Sequence, residues 1–214
     1  MYCNDKSKLL PRPISICGIN PTEGTLRVVY RVAGEGTKEF SEMKAGDTLE
    51  VMGPLGNGFT MKNEKAIIIG GGIGIPPMLE LAKQLDAEKT VVLGYRTSTF
   101  LKEEFEEVCD VKIATEDGSQ GAKGTVIDAI EKYGVEGKII YACGPMPMLK
   151  ALAAYAEEHG MEAQISLEER MACGIGACLG CICKSKTKDH HTNVNNTRIC
   201  KDGPVFDAKE VVFS

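Results

Sequence analysis

The sequence has no excess of basic residues and no long apolar run, and each absence excludes a class of function. Its 25 Lys and Arg residues are outnumbered by 30 Asp and Glu residues, which gives a formal net charge of −5 at pH 7. Nucleic-acid-binding proteins favour the opposite balance. The most apolar segment, residues 66–79, is short and is interrupted by glycines and two prolines, so it does not suit a bilayer span. We therefore expect neither a nucleic-acid partner nor a membrane partner.

A secretory signal is also missing, and this affects how the cysteines are interpreted. The first residues are polar and contain no hydrophobic segment of the signal-peptide kind. The chain nevertheless has nine cysteines among 214 residues. Without an export signal, cysteines are expected to serve as thiols and metal ligands rather than as disulfides. We therefore predict a cytoplasmic protein that uses its cysteines chemically.

Two hydrophobic patterns divide the chain. Residues 1–62 combine prolines, tight turns and short alternating segments near 24–32 and 48–52, which predicts a small antiparallel β unit. Over residues 63–165, continuous apolar strands alternate with helices, which predicts a parallel sheet covered on both faces. Residues 166–214 carry five of the nine cysteines. The predicted fold class is therefore α/β plus β, in three parts.

The cysteines of the third part have a recognisable spacing. Cys173, Cys178 and Cys181 follow the pattern C-x4-C-x2-C, with glycines between them, and Cys200 follows after a polar insert, residues 184–198. This spacing is typical of plant-type [2Fe–2S] ligation, and glycines allow backbone N–H groups to approach the sulfurs. We predict a cluster on these four cysteines and expect the insert to be a loose loop. Cys183 is interpreted as a residue of the core or of the layer of side chains directly around the ligands.

Structural zinc is the main alternative at these cysteines. Zinc sites usually combine C-x2-C units with a second such pair or with two histidines three to five residues apart. His190 and His191 are adjacent, so both can hardly reach one ion. The spacing favours iron–sulfur ligation and leaves a zinc-stabilised nucleotide-binding module, without redox function, as a hypothesis of another class.

Two glycine-bearing motifs lie where parallel sheets bind ligands. The first is a turn between a buried strand and a helix, where a dinucleotide pyrophosphate can approach bare backbone and the positive end of the helix. The second ends a later strand at the same carboxyl edge. The first motif contains Gly70, Gly71, Gly72 and Gly74, and the second contains Cys143, Gly144 and Pro145. Each could equally be a tight turn when taken alone, but the α/β context favours dinucleotide binding for the first.

The first part of the chain offers candidates for a phosphate and a ring system. Arg12 suits a phosphate because its planar guanidinium is always charged, and the hydroxyl of Ser15 can hydrogen-bond a ring nitrogen. Gly36 and Thr37 could hold a phosphate through backbone N–H groups and a hydroxyl. Without further context, a surface arginine beside an edge strand is the favoured interpretation of Arg12, and Gly36 and Thr37 could simply form a turn.

Together and in this order, the motifs resemble the ferredoxin–NADP reductase superfamily and, more narrowly, the electron-transfer subunits of class 1B dihydroorotate dehydrogenase. The most specific stretches are residues 52–59, 168–178 and 198–206. The resemblance implies a truncated FAD-binding β-barrel over 1–62, an NAD-binding domain over 63–165 and a [2Fe–2S] subdomain over 166–214. The implied FAD contacts are Arg12, Pro13, Ile14, Ser15, Val29, Tyr30, Arg31, Gly36 and Thr37.

The resemblance also implies the remaining sites. The glycine turn and residues 143–145 would face NAD(H), and Cys173, Cys178, Cys181 and Cys200 would hold the cluster. Ser15 and Cys143 would lie near the flavin and the nicotinamide. We expect no catalytic side chain, because hydride transfer takes place at FAD. NAD rather than NADP follows from the resemblance alone, since residues 95–98 could also hold a 2′-phosphate.

In the family that the chain resembles, a partner subunit holds FMN and oxidises dihydroorotate to orotate in pyrimidine (UMP) biosynthesis. Electrons pass from FMN through the cluster to FAD and then to NAD+, in a complex expected to be a heterotetramer. FAD is needed because hydride chemistry moves two electrons while the cluster carries one. Family members carry a further stretch ahead of the motif that begins at Arg12. We therefore expect the first barrel strands to be absent and FAD to be held less tightly.

An alternative within the same superfamily is the small FAD/[2Fe–2S] subunit of a sulfide dehydrogenase or of an NAD(P) transhydrogenase complex. Those relatives typically have aspartate in place of one cluster cysteine. The four cysteine candidates of this chain argue against that alternative.

Overall fold

The first part of the chain contains an antiparallel hairpin and one helix. The computed structural model describes residues 1–188 and 193–213, so His190 and His191 lie outside the described residues. Strands β1 (Ile16–Asn20) and β2 (Thr25–Val28) pair in antiparallel fashion, and helix α1 (Glu35–Glu42) follows. The edge-to-face contact of Tyr30 with Phe40, with ring centroids 6.0 Å apart, packs the end of the hairpin against α1.

The strand predicted at residues 48–52 is not formed. The segment receives a main-chain hydrogen bond from Tyr2 N–H to the Glu50 carbonyl at 2.9 Å, but no strand of the described residues pairs with it. Val51 is 64% exposed, so the alternating side chains do not cover a core. A strand needs a ladder of partners, and alternation alone was a misleading signal here.

The rest of the chain builds around a seven-stranded sheet. In chain order the elements are β3 (Ala66–Gly71), α2 (Ile75–Gln84), β4 (Lys89–Tyr95), α3 (Lys102–Glu106), β5 (Asp110–Thr115), β6 (Ala122–Lys123), α4 (Val126–Tyr133), β7 (Ile139–Cys143), α5 (Met146–Glu158), β8 (Glu162–Ser166), β9 (Ile182–Lys184), β10 (Asn196–Arg198) and β11 (Val205–Asp207). The sheet order is β11-β8-β7-β3-β4-β5-β6. Neighbouring strands are parallel except β11, which runs antiparallel to β8.

Both faces of this sheet are covered, as the continuous apolar strands predict. Every residue of β3 is buried. Ile67 and Ile69 point into a cluster that includes residues of α4 and α5, whereas Ile68 points into a second cluster with residues of α2. Because β3 is buried on both faces, its apolar run is unbroken rather than alternating.

The third part of the chain is tied to the same sheet. β11 extends the sheet beyond β8, and Leu167 N–H donates to the Pro204 carbonyl at 2.8 Å. The insert expected to be a loose loop instead begins at the last residue of β9 and ends with β10, and these two strands pair. The division at residue 165 stays a prediction.

The helices are short. The longest described helix, α5, has 13 residues, and no helix within 1–188 and 193–213 has the length and apolarity that crossing a bilayer requires.

Candidate functional site

The four predicted ligand cysteines come together as two pairs. In the first pair, Cys178 N–H donates to Cys173 Sγ at 3.4 Å. In the second, Cys200 N–H donates to Cys181 Sγ at 3.4 Å. The pairs are connected by Gly176, whose N–H donates to Cys200 Sγ at 3.2 Å. The loop from the first cysteines therefore wraps onto the fourth.

The β9–β10 hairpin explains how Cys200 reaches its position. Cys181 lies immediately before β9, and Cys200 follows β10 after one residue. The hairpin pairs Ile182 with Arg198, and the main-chain bond from Ile199 N–H to the Cys181 carbonyl, 3.0 Å, closes its base. The hairpin that contains the insert therefore brings Cys200 back next to Cys181.

The sulfurs of the two pairs lie in different environments. The environment of Cys173, in the loop, favours the thiolate, whereas Cys200, after the hairpin, is buried. Main-chain N–H groups, first that of Cys178 and then that of Ile175, lower the pKa of Cys173 to about 6. Burial, followed by the neighbouring Cys181, raises the pKa of Cys200 to about 11. Cys181 and Cys200 are only 2% and 5% exposed, whereas Cys178 is exposed. The site therefore has an inner and an outer pair.

These residues fit a two-iron cluster. Two adjacent thiol pairs, with backbone N–H groups directed at the sulfurs, match four-cysteine ligation of a [2Fe–2S] core. Cys183 packs against the hydrophobic core, and burial raises its pKa, in keeping with the core role predicted for it.

The predicted phosphate residues of the first part are brought into contact. A Cβ atom built on Gly36 would overlap the Arg12 guanidinium, so the cation lies directly on the first turn of α1. Arg12 Nη1 also donates to the carbonyls of Lys8 and Leu10. A fixed cation beside a helix N-terminus favours an anion. The Thr37 hydroxyl accepts from the N–H groups of Ala33, at 2.9 Å, and Gly34, at 3.1 Å, so it already caps the helix.

The other predicted flavin residues share one end of the hairpin. Ser15 precedes β1 and Val29 follows β2, and the pairing of Ile16 with Val28 places them side by side. Ser15 and Arg31 are exposed, while Val29 and Tyr30 are partly buried. Pro13 and Ile14 connect Arg12 to this end. The FAD assignment of these residues remains a prediction.

Packing explains most glycines of the two NAD motifs. A Cβ on Gly70 would lie 2.9 Å from Ile75 Cα, one on Gly144 would lie 3.1 Å from Gly71 Cα, and one on Gly74 would overlap the Cys143 carbonyl. The two motifs therefore pack against each other at the carboxyl edge. Gly72 differs, because it is exposed, has φ +54° and has no atom within 4 Å of the place where a Cβ would lie. It is the open backbone position of the turn.

Cys143 itself does not offer its thiol to a ligand. It is 2% exposed, and burial raises its pKa to about 12. In the sheet, Cys143 pairs with Ser166 of the neighbouring strand β8. A nicotinamide at this edge would meet exposed Pro145 and Gly72 rather than the sulfur.

Two residues of this region were not anticipated from the sequence. Both belong to stretches that only the family resemblance marks, residues 52–59 and 168–178. Asn57 hydrogen-bonds the segment that follows Cys200. Glu168 lies beyond the end of β8, next to the strand that ends at Cys143. Burial raises the pKa of Glu168 and the charge of Arg31 opposes that rise, while burial and then the charge of Glu168 raise the pKa of Cys143.

Two family models match the chain. The model described as the iron-sulfur cluster binding domain of dihydroorotate dehydrogenase B matches residues 168–212. The oxidoreductase NAD-binding domain model matches residues 68–154. These matches confirm the predicted iron–sulfur and NAD-binding parts and favour them over a zinc-stabilised module.

Curated relatives match nearly the whole chain. The dihydroorotate dehydrogenase B (NAD(+)) electron transfer subunit of Caldanaerobacter subterraneus subsp. tengcongensis is 47% identical over 213 residues, which cover 99% of this chain and 84% of the relative. The subunit of the same name from Fusobacterium nucleatum subsp. nucleatum is 44% identical, over 96% of this chain and 82% of the relative.

A solved structure supports the fold. It belongs to the NADH-dependent reduced ferredoxin-NADP oxidoreductase, described for flavin-based electron bifurcation, and matches with a TM-score of 0.84 at 33% identity, over 94% of this chain and 74% of that chain. This agrees with the predicted superfamily fold. On the similarity to the curated relatives, the chain belongs to the family of dihydroorotate dehydrogenase B (NAD(+)) electron transfer subunits.

Proposed function

We propose that this chain passes electrons from an FMN-containing dihydroorotate dehydrogenase subunit to NAD+ in pyrimidine biosynthesis. The observation that carries the proposal is the convergence of four cysteine sulfurs in two pairs, on a chain that also has the glycine turn of an NAD-binding sheet. When bound, a [2Fe–2S] cluster carries single electrons, and FAD converts between single electrons and hydride.

Each part of the chain has a proposed task. Cys173, Cys178, Cys181 and Cys200 hold the cluster. Arg12, on the first turn of α1, holds the FAD pyrophosphate, and Ser15 with residues 29–31 contacts the flavin side. Gly72 gives NAD(H) access to bare backbone at the carboxyl edge of β3.

The complex and its compartment are proposals of the same kind. The curated relatives are named as subunits, which supports a catalytic partner, and we propose a heterotetramer of two copies of each chain. All nine cysteines are free, which suits a reducing compartment such as the cytoplasm.

The decisive experiment is anaerobic co-purification with an FMN-containing dihydroorotate dehydrogenase subunit. The complex should show flavin and iron–sulfur absorption in the visible range and should reduce NAD+ when dihydroorotate is added. The partner alone, and the complex with Cys178→Ser, serve as controls and should not reduce NAD+. A complex that contains both flavins and the cluster but lacks this activity would contradict the proposal, as would a colourless chain with stoichiometric zinc.

One comparison should be run in the same assay. NADP+ in place of NAD+ measures cofactor preference, and NADPH-driven reduction of NAD+ measures transhydrogenase activity. The curated names lead us to expect NAD+ as the preferred acceptor.

A further inference from the structure

A short loop from the first part of the chain is fastened to the cluster-binding part. We call residues 52–58 the bridging loop. Asn57 makes three hydrogen bonds from it: its N–H donates to the Gly203 carbonyl at 2.6 Å, and its side-chain amide donates to the carbonyls of Lys201, at 3.0 Å, and Asp202, at 3.1 Å. All three acceptors follow Cys200 directly. One residue thus fastens the loop to the segment that carries the fourth ligand.

The backbone of the bridging loop fits this segment closely. A Cβ on Gly56 would lie 2.6 Å from the Gly203 carbonyl oxygen, and Gly56 has φ +72°. Asn57 also forms a β-bridge with Pro204. The approach therefore depends on glycine at one position and on asparagine at the next.

The same loop touches the other ligand-bearing segment. A Cβ on Gly174, next to Cys173, would lie 3.4 Å from Leu55 Cδ1 and 3.8 Å from Met52 Cε. The bridging loop therefore contacts two segments of the site. One lies next to Cys173 of the outer pair, and the other follows Cys200 of the inner pair.

At its other end, the loop is anchored to the sheet. The Phe59 ring packs edge-to-face on Tyr141 with centroids 5.6 Å apart. Thr60 N–H donates to Gln164 Oε1 at 2.8 Å, and the Gln164 amide returns a hydrogen bond to the Thr60 carbonyl at 2.9 Å. Because Phe59 and Thr60 are fixed to the sheet, they cannot move to compensate for a displacement of the loop at Asn57.

We propose that Asn57 is a positioning residue for electron transfer, because it locks the segment after Cys200 to the part of the chain that carries the flavin candidates. This inference rests on the proposed function. Electron transfer between two bound groups depends on their separation and orientation, and small misplacements in such arrangements cost large factors in rate. Asn57 itself contacts neither group and acts through the carbonyls of Lys201 and Asp202.

The test separates two routes of cluster reduction in the purified complex. NADH supplies two electrons as hydride to FAD, and one of them then reduces the cluster while the other stays on FAD. Dithionite gives an electron to the cluster directly, so this route does not depend on transfer from FAD. In Asn57→Ala, bleaching of FAD by NADH should stay within twofold of the wild type, whereas bleaching of the partner's FMN, which is reached through the cluster, should slow. Dithionite should give an unchanged electron paramagnetic resonance spectrum of the cluster. Cluster reduction by NADH should slow by about 10- to 100-fold.

Two further variants sharpen the result. Asn63→Ala replaces an exposed asparagine of the connecting segment beyond the bridging loop and should behave as the wild type. Gly56→Ala keeps the Asn57 amide but forces the loop away from Gly203, and it should show the same split between NADH and dithionite as Asn57→Ala.

The inference is overturned if NADH reduces the cluster in both Asn57→Ala and Gly56→Ala within twofold of the wild-type rate. It is also overturned if both variants lose their iron, because the loop would then retain the ligands rather than position them. A wild-type complex whose flavin bleaches with NADH while its cluster stays oxidised marks a failure of the proposed function instead, and the inference falls with it.

Discussion

The main-chain N–H of Cys200 donates to the sulfur of Cys181 at 3.4 Å, although the two residues are 19 positions apart. The β9–β10 hairpin produces this approach, because its paired strands bring the chain back to its starting point. The inner pair is therefore built by backbone pairing, and the outer pair by the glycine-containing loop. A change at a ligand should remove the cluster, whereas a change in the core beneath it should not.

Cys178→Ser should abolish cluster assembly, and Cys183→Ser should not. Cys178 belongs to the outer pair and lies at the exposed rim of the site, while Cys183 packs on the core. The serine hydroxyl is a poor replacement for a thiolate ligand, but in the core it costs only about 1 kcal/mol of unfolding free energy. Iron content and visible absorption after anaerobic purification provide the measurement. Bleaching by Cys183→Ser alone would show that the ligand assignment is wrong.

Gly74→Ala and Gly72→Ala should have different consequences for stability. A methyl group on Gly74 overlaps the backbone at Cys143 and Gly144, so we expect a loss of about 3 kcal/mol or more in unfolding free energy. Gly72 has open space around it but a positive φ, which costs an alanine about 1 kcal/mol. Urea denaturation of both variants measures the difference.

Gly72→Ala should also weaken nucleotide binding, because its methyl group occupies the open approach to the backbone. We expect the Kd for NADH to rise about tenfold, which corresponds to ~1.4 kcal/mol. Unchanged NADH affinity in a folded Gly72→Ala protein would place the nucleotide elsewhere.

The sequence predicted the sheet better than it predicted the first and third parts. β3 is buried on both faces, so its run of isoleucines is unambiguous. β9 and β10 contain Lys184, Asn196 and Arg198 and show little apolar pattern, and β11 is only three residues long. The contact of Asn57 with Lys201 joins positions 144 apart. No local pattern indicates a contact between positions so far apart in the sequence. The four candidate ligands could therefore be proposed from their spacing, but the contacts that hold their segments in place could not.

Arg12→Ala should reduce FAD affinity by about 10- to 100-fold, since a charge-assisted hydrogen bond to phosphate contributes roughly 1.5–3 kcal/mol. Arg12→Lys should not restore full affinity, because lysine lacks the planar fork that lies on Gly36. Flavin content after gel filtration and titration with FAD provide the measurement.

Arg27→Ala is the matched control for Arg12. Arg27 pairs with Glu104 through Nη2 and Oε1 at 3.0 Å on the exposed side of the hairpin. Its loss should cost under about 1 kcal/mol of stability and should leave the flavin content unchanged. Equal flavin loss in both variants would indicate that any weakening of this part releases FAD.

Glu168 should destabilise the folded protein slightly as pH rises. Most acidic residues show the opposite dependence, because their pKa is lowered on folding. Partial withdrawal from water raises the pKa of the Glu168 carboxyl above its ordinary value of 4.5, and the charge of Arg31 opposes that rise. Its charge also contributes, after burial, to the raised pKa of the Cys143 thiol. Between pH 4.5 and the raised folded-state pKa, the folded protein binds more protons at this site than the unfolded chain does. Its contribution to stability therefore falls as pH rises through this window.

Glu168→Gln removes that titration while it keeps the shape of the side chain. We compare the unfolding free energy of the variant with that of the wild type. The variant should gain least below pH 4.5, and its advantage should grow as pH rises through the folded-state pKa of Glu168. Because Glu168 keeps an exposed surface, solvent screening should hold this change to a fraction of what full burial would produce. Denaturation curves at several pH values from 4 to 8 measure it. A difference that is constant with pH, or that moves in favour of the wild type, would mean that the carboxylate is stabilised in the folded protein, with Arg31 outweighing the loss of hydration.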